Sequence, residues 1–162
     1  MIRSLQKSDR DELKRILTDT NHFNDEEINV AMELIDIYLN RQDQKDYIIN
    51  VYRTDDTAKT AGYICYGRRP LTDSTYDLYW IAVDPGIHGK GIGSSLVKYM
   101  EQDVLNNLNG NIILIETSGK PEYGNERKFY EKNGYTVQTI IKSFYRRDDD
   151  LVVYIKYLKN VL

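Results

Sequence analysis

The stretch whose residue types most clearly imply chemistry is His88-Gly89-Lys90-Gly91-Ile92-Gly93, which follows Asp84-Pro85 and leads into Ser94 and a helical pattern. Three glycines at alternate positions let the backbone turn with its N–H groups pointing inward. A helix opening near Gly91 adds N–H groups without intrahelical partners and the positive end of a dipole. Together these make a seat for a phosphate or pyrophosphate. Residues 80–96 are therefore read as a strand, a glycine-rich turn and a helix that bind the phosphates of a coenzyme, through Gly89, Lys90, Gly91, Ile92, Gly93 and Ser94. The turn lacks the Gly-Lys-Ser/Thr ending of a P-loop, and its glycines do not have the G-x-G-x-x-G spacing of a dinucleotide site near the first strand.

Elements on either side must hold this turn. Residues 1–5 read as a short opening strand, and Ser8 with Asp11 as the start of a helix running to about residue 18. Asn24 followed by Glu27 repeats that signature, and Ile28, Ala31, Met32, Ile35 and Leu39 share one face of the helix it starts. Residues 47–53 and 61–66 read as paired strands around a polar turn at Asp55 and Asp56, with 76–83 as a third strand of an antiparallel meander. After the glycines, Ile92, Leu96, Val97, Met100 and Val104 form an apolar helical stripe, and 111–116 is the strand that returns from it. Strand, helix, strand implies a parallel pair. Residues 125–132 predict a short helix ended by Asn133 and Gly134. Residues 136–141 and 151–157 complete the sheet around an acidic turn that holds Asp148, Asp149 and Asp150. The fold class is α/β on a mixed sheet.

The whole chain sets bounds on function. Its 162 residues show no repeat and no linker, so 1–162 is expected to be a single domain. With 22 basic and 25 acidic residues the formal charge is -3, which disfavours nucleic acid as a partner. Cys65 is the one cysteine, so neither a disulfide framework nor a cysteine-built metal site is expected. No long apolar stretch predicts a membrane span and no signal-like segment opens the chain, which points to a soluble cytoplasmic protein. His22 and Cys65 have no visible catalytic partner and read as structural. The tyrosines number 14 against 3 phenylalanines. Most fit half-buried strand positions with a wet hydroxyl, and Tyr63, Tyr66 and Tyr79 are candidates to line a groove.

The glycine turn resembles motif A of the GCN5-related N-acetyltransferases, the GNAT family, whose pattern after a strand is Q/R-x-x-G-x-G/A. His88, Gly91 and Gly93 take its three positions, with His88 in place of Gln or Arg. Downstream, Phe129-Tyr130 and Asn133-Gly134-Tyr135 resemble the family's motif B, and the order of elements matches over nearly the whole chain. Where members often carry Asn seven residues before the helix tyrosine, this chain has Tyr123, with Asn125 two residues later. The resemblance implies a mixed, mostly antiparallel central sheet of about seven strands flanked by about four helices, with a splayed parallel strand pair at the coenzyme site.

That resemblance also implies chemistry: direct transfer of an acetyl group from acetyl-coenzyme A to an amine, without a covalent enzyme intermediate or a metal. Pantetheine would pair with the backbone of Ile81, Ala82 and Val83, and a main-chain N–H of Ile81 or Ala82 would stabilise the oxyanion. His88 and Asn125 would contribute at the rim of the coenzyme site. Tyr130 matches the general acid that protonates the departing thiolate. An ammonium acceptor must lose a proton before attack, and Asp77 is the first candidate base, Glu116 the second, with a water relay as the alternative to either. Asp148, Asp149 and Asp150 could attract a cationic amine or simply form a solvated turn. Family members are often dimers, so a homodimer is possible. The competing reading is a non-catalytic acyl-coenzyme A-binding regulatory module.

Overall fold

Asn24 and Glu27 start a helix as their spacing predicts. In the computed structural model the Asn24 side chain accepts the Glu27 N–H at 2.9 Å, and the Glu27 carboxylate accepts the Asn24 N–H at 2.8 Å. The structure describes residues 1–55, 59–87 and 89–159. The helix so capped, α2 (Asp25–Asn40), buries Ala31, Met32 and Ile35, with Ile28 and Leu39 packed at the margin of the same core. The predicted stripe is the buried face.

The first helix starts by a different device from the expected one. Strand β1 (Ile2–Ser4) leads to a 3-10 turn at Lys7–Asp9, which runs directly into α1 (Arg10–Asp19). The organising acid is Asp9, not Asp11. Its carboxylate accepts Arg3 at 2.7 and 2.9 Å, the Gln6 N–H at 2.9 Å and the Thr60 hydroxyl at 2.8 Å. Burial pushes the Asp9 carboxyl up, but these four donors outweigh it and hold the group below the usual carboxylate range. The Gln6 N–H and Arg3, with Thr60 from far along the chain, fix Asp9 so that a 3-10 turn over Lys7–Asp9 precedes α1.

The remaining elements are β2 (Ile48–Arg53), β3 (Thr60–Arg68), β4 (Thr75–Val83), α3 (Ile92–Asn106), β5 (Ile112–Ser118), α4 (Gly124–Lys132), β6 (Thr136–Arg146) and β7 (Asp149–Tyr157). The seven strands lie in the order β1-β2-β3-β4-β5-β7-β6. Pairing is antiparallel for β1 with β2, β2 with β3, β5 with β7 and β6 with β7, and parallel for β4 with β5. The mixed, mostly antiparallel class read from the sequence is the one observed. Of the polar turn expected at Asp55 and Asp56, Asp56 lies outside the described residues. Among the described residues no helix is long and apolar enough to cross a membrane.

Two compact units divide the chain, Met1–Gly67 with Tyr79–Met100, and Arg68–Leu78 with Glu101–Leu162. In the first, α1 supplies Leu13, Ile16 and Leu17, which join the buried face of α2 over Ile49, Val51, Tyr63, Cys65 and Ala82. Arg10 ties the two helices together by gripping Asp36. Burial of Cys65 raises its thiol far above the ordinary value, in keeping with a structural role. Tyr63 and Tyr66 are also fully buried, so they belong to a core and line no groove, while Tyr79 is partly exposed against Tyr47. In the second unit, Ile113, Ile115, Val152, Tyr154 and Ile155 are among the buried strand positions.

The last hairpin corrects the reading of the acidic run. Both strands are longer than expected, so Asp149 and Asp150 belong to β7. Asp149 is buried and accepts the Ser118 hydroxyl, and Asp150 accepts the Ser143 N–H at 2.9 Å and Lys142 at 2.7 Å. Asp149 is thereby committed to β5 and Asp150 to β6, which leaves Asp148 as the one acid of the three in the turn.

Candidate functional site

The first unit holds the glycine turn. Gly89 and Gly91 have φ of 84° and 73°, a region where a side chain is strained, and a Cβ at either would meet nothing within 4 Å. Backbone conformation requires these glycines, and open space lies where side chains would be. Gly91 also opens α3, since its carbonyl accepts the Ser95 N–H at 2.9 Å. The N–H groups of Ile92, Gly93 and Ser94 therefore precede the first intrahelical bond. Ile92 is buried and anchors the helix start, whereas Lys90 is exposed. His88 lies outside the described residues.

Asp84 fixes the entry to this turn, a role the sequence suggested only through the Asp84-Pro85 corner. Its carboxylate accepts the Gly86 N–H at 2.9 Å and Arg15 of α1, and its own N–H donates to Ala61 of β3 at 2.8 Å. That last bond also sets the orientation of the strand leading in. Backbone groups alternate between the two edges of a strand, so Ala82 turns its N–H toward β3, as Asp84 does. Ile81 and Val83 present theirs at the other edge of β4. The Ala82 methyl group sits in the core of this unit.

In the second unit the parallel ladder runs from Thr75 opposite Ile112 to Leu78 opposite Ile115. Asp77 lies opposite Leu114, and Glu116, two residues on, has the same sheet face. Both carboxylates meet Arg69, whose Nη1 donates to Asp77 at 2.8 Å and to Glu116 at 3.4 Å. Burial pushes the Asp77 carboxyl up, Arg69 pulls it back by hydrogen bond and charge, and Glu116 adds a further push. The net direction is upward. Asp77 is 8% exposed, so it is no strand-end carboxylate in open water. Arg69 escaped the sequence reading. Its signal was the tight turn of residues 69–75, in which the Arg69 N–H donates to the Thr75 carbonyl at 2.9 Å and brings the side chain back toward Asp77.

Tyr130, on α4, packs edge-on to Phe129 and Tyr135 and tilted against Tyr154. Three tyrosines thus meet, but their hydroxyls differ. Tyr135 donates to Glu101 and Tyr154 to Glu131, each at 3.0 Å. Among the described residues the Tyr130 hydroxyl has no hydrogen-bond partner. Burial, then the nearby Glu126 and Tyr154, push its pKa well above the ordinary phenol value, so it stays protonated at neutral pH. Its oxygen is not one of the fully buried unpaired atoms, which include the Tyr63 hydroxyl, so it keeps contact with solvent. Asn125 is exposed in the first turn of the same helix. Asp77, Glu116, Tyr130 and Asn125 therefore share the second unit, while residues 81–83 and 89–94 share the first.

Comparison with known proteins follows the same lines. Residues 45–137 match the profile of the acetyltransferase (GNAT) domain. A GNAT-family protein from Desulfovibrio desulfuricans is 36% identical, with a TM-score of 0.92 over 98% of this chain and 99% of its own. An aminoglycoside 6'-N-acetyltransferase complexed with coenzyme A has a TM-score of 0.74 at 17% identity, covering 100% of this chain and 99% of its own. The aminoglycoside 6'-N-acetyltransferase from Enterococcus faecium has a TM-score of 0.73, also at 17% identity, over 100% of this chain and 99% of its own. These last two share the fold. No curated protein matches the sequence.

Proposed function

The chain belongs to the GNAT family of N-acetyltransferases, and from that premise we propose that it moves an acetyl group from acetyl-coenzyme A to a primary amine, of a small molecule or a peptide, by direct attack with both substrates bound. The observation that carries this reading is the turn at Gly89 and Gly91, with positive φ, open space at both Cβ positions and, immediately after it, the N–H groups that precede the first intrahelical bond of α3. Phosphates of the coenzyme are held by the backbone of Gly89 to Ser94, which makes the identity of residue 88 secondary. His88 and Asn125 act as rim contacts. One catalytic domain, residues 1–162, working in the cytoplasm, is the organisation that accompanies this proposal.

Acetyl-coenzyme A brings a thioester whose C–S bond breaks as the amine nitrogen forms its bond to the carbonyl carbon. Ile81 and Val83 pair with pantetheine through the open edge of β4. Of the two oxyanion candidates, Ile81 is preferred over Ala82, because alternation from the Asp84 N–H, which donates to Ala61, directs the Ala82 N–H toward β3. Asp77 takes the proton that the ammonium must lose, with Glu116 beside it as the more exposed carboxylate. Burial helps, because a raised carboxyl pKa narrows the gap to the ammonium. Tyr130 donates its unused hydrogen bond to the sulfur as negative charge develops there. Since its phenol is less acidic than an ordinary thiol, it stabilises the thiolate first, and the second proton that the nitrogen sheds as the intermediate collapses passes to the sulfur.

Gly91→Val tests the coenzyme seat. A β-branched residue at φ of 73° is strained by about 1–2 kcal/mol, and the variant relaxes by moving the backbone that holds the phosphates. Calorimetric titration is expected to show acetyl-coenzyme A bound about 10-fold more weakly. Native-like affinity in this variant would remove the turn from the binding site.

A further inference from the structure

Arg69 spends little of its guanidinium on the two acids beside it. Nη1 makes both contacts, at 2.8 Å to Asp77 and 3.4 Å to Glu116. Among the described residues its Nε and Nη2 have no hydrogen-bond partner. Those two nitrogens form the edge with which arginine holds a carboxylate through two parallel N–H···O bonds. The same chain displays that grip elsewhere, where Arg10 holds Asp36 through Nε at 2.6 Å and Nη2 at 2.7 Å. The Arg69 side chain is 41% exposed, so its edge is open to solvent. One cation therefore sits beside two carboxylates on the sheet face that holds the candidate base.

We propose that the acceptor is an amino acid-like molecule carrying a carboxylate as well as its amine, gripped by the Nε–Nη2 edge of Arg69, with its ammonium drawn to Asp77 and Glu116. This rests on the transferase reading above. A polycation with no anionic group fits less well, because it leaves the Nε–Nη2 edge without an acceptor and sets a positive charge beside the guanidinium. A zwitterion places each of its charges against an opposite one and leaves the bonds of Arg69 to the acids intact. Arg69 is then a specificity-determining residue of the acceptor site, not a proton carrier.

The test is acetyl-coenzyme A-dependent thiol release with α-, β- and γ-amino acids, their methyl esters and the corresponding decarboxylated amines, in the native enzyme, Arg69→Lys and Arg69→Gln. The quantity read is the ratio of kcat/KM for an acid over its own ester within each variant, which cancels any effect of the substitution on Asp77. The native ratio is expected to be about 10- to 100-fold, carried mainly by KM, to shrink in Arg69→Lys, which keeps the charge but loses the two-nitrogen edge, and to approach unity in Arg69→Gln. Native enzyme that acetylates esters and simple amines as well as the acids would overturn this inference and leave the transferase reading standing. A native ratio that survives Arg69→Gln would also overturn it. Coenzyme binding with no amine-dependent release from any acceptor would overturn both.

Discussion

Tyr130→Phe is expected to lower kcat about 100-fold or more, with the affinity for acetyl-coenzyme A essentially unchanged. The substitution removes one oxygen and keeps the ring that packs on Phe129, Tyr135 and Tyr154. Because that oxygen has no hydrogen-bond partner among the described residues, its loss breaks no bond within the protein, and thermal stability should hold. Tyr135 and Tyr154 provide the contrast. Their hydroxyls are committed to Glu101 and Glu131, so Tyr135→Phe and Tyr154→Phe should act on stability more than on rate. Single-turnover kinetics separate the chemical step from binding. A kcat for Tyr130→Phe within a few-fold of native would mean that the departing sulfur is stabilised by another group.

Asp77→Asn is expected to reduce kcat/KM about 100-fold and to change the pH profile. In the native enzyme the rate should rise with pH as Asp77 loses its proton, and because its pKa is raised by burial that rise should lie above the ordinary carboxylate range. Asparagine cannot titrate, so that limb should give way to one at higher pH that follows the deprotonation of the acceptor ammonium itself. Glu116→Gln serves as the comparison, since Glu116 meets Arg69 at 3.4 Å against 2.8 Å for Asp77 and is far more exposed. A smaller loss with a preserved limb is expected there. If Glu116→Gln abolished the limb and Asp77→Asn did not, the base would be Glu116.

What could be read from the sequence was what local chemistry determines. Asn24 and Glu27 cap α2 because both partners lie within one turn, and the stripe from Ile28 to Leu39 is buried because its period is helical. Gly89 and Gly91 were legible for the same reason, as positive φ is a local demand. Features set by distant partners were not. Asp9 displaced Asp11 as the organiser of α1 because Arg3 and Thr60 reach it from two strands. Residues 149 and 150 looked like part of a solvated turn because their partners, Ser118 and Lys142, are contributed by other strands. Tyr63 and Tyr66 stand in the sequence as candidates to line a groove, and only the packing of helices against the sheet shows that both are buried. Arg69 was missed because its role depends on a tight turn that places it beside Asp77.

Direct transfer in a ternary complex makes a prediction that one measurement reaches. Initial rates of thiol release are to be measured with acetyl-coenzyme A and a reactive amine varied together, with the acetylated amine counted by mass spectrometry. The account predicts release that depends on the amine, one acetylated amine per thiol, and intersecting double-reciprocal lines. Parallel lines with an acetylated enzyme, or tight coenzyme binding without amine-dependent release, would contradict it.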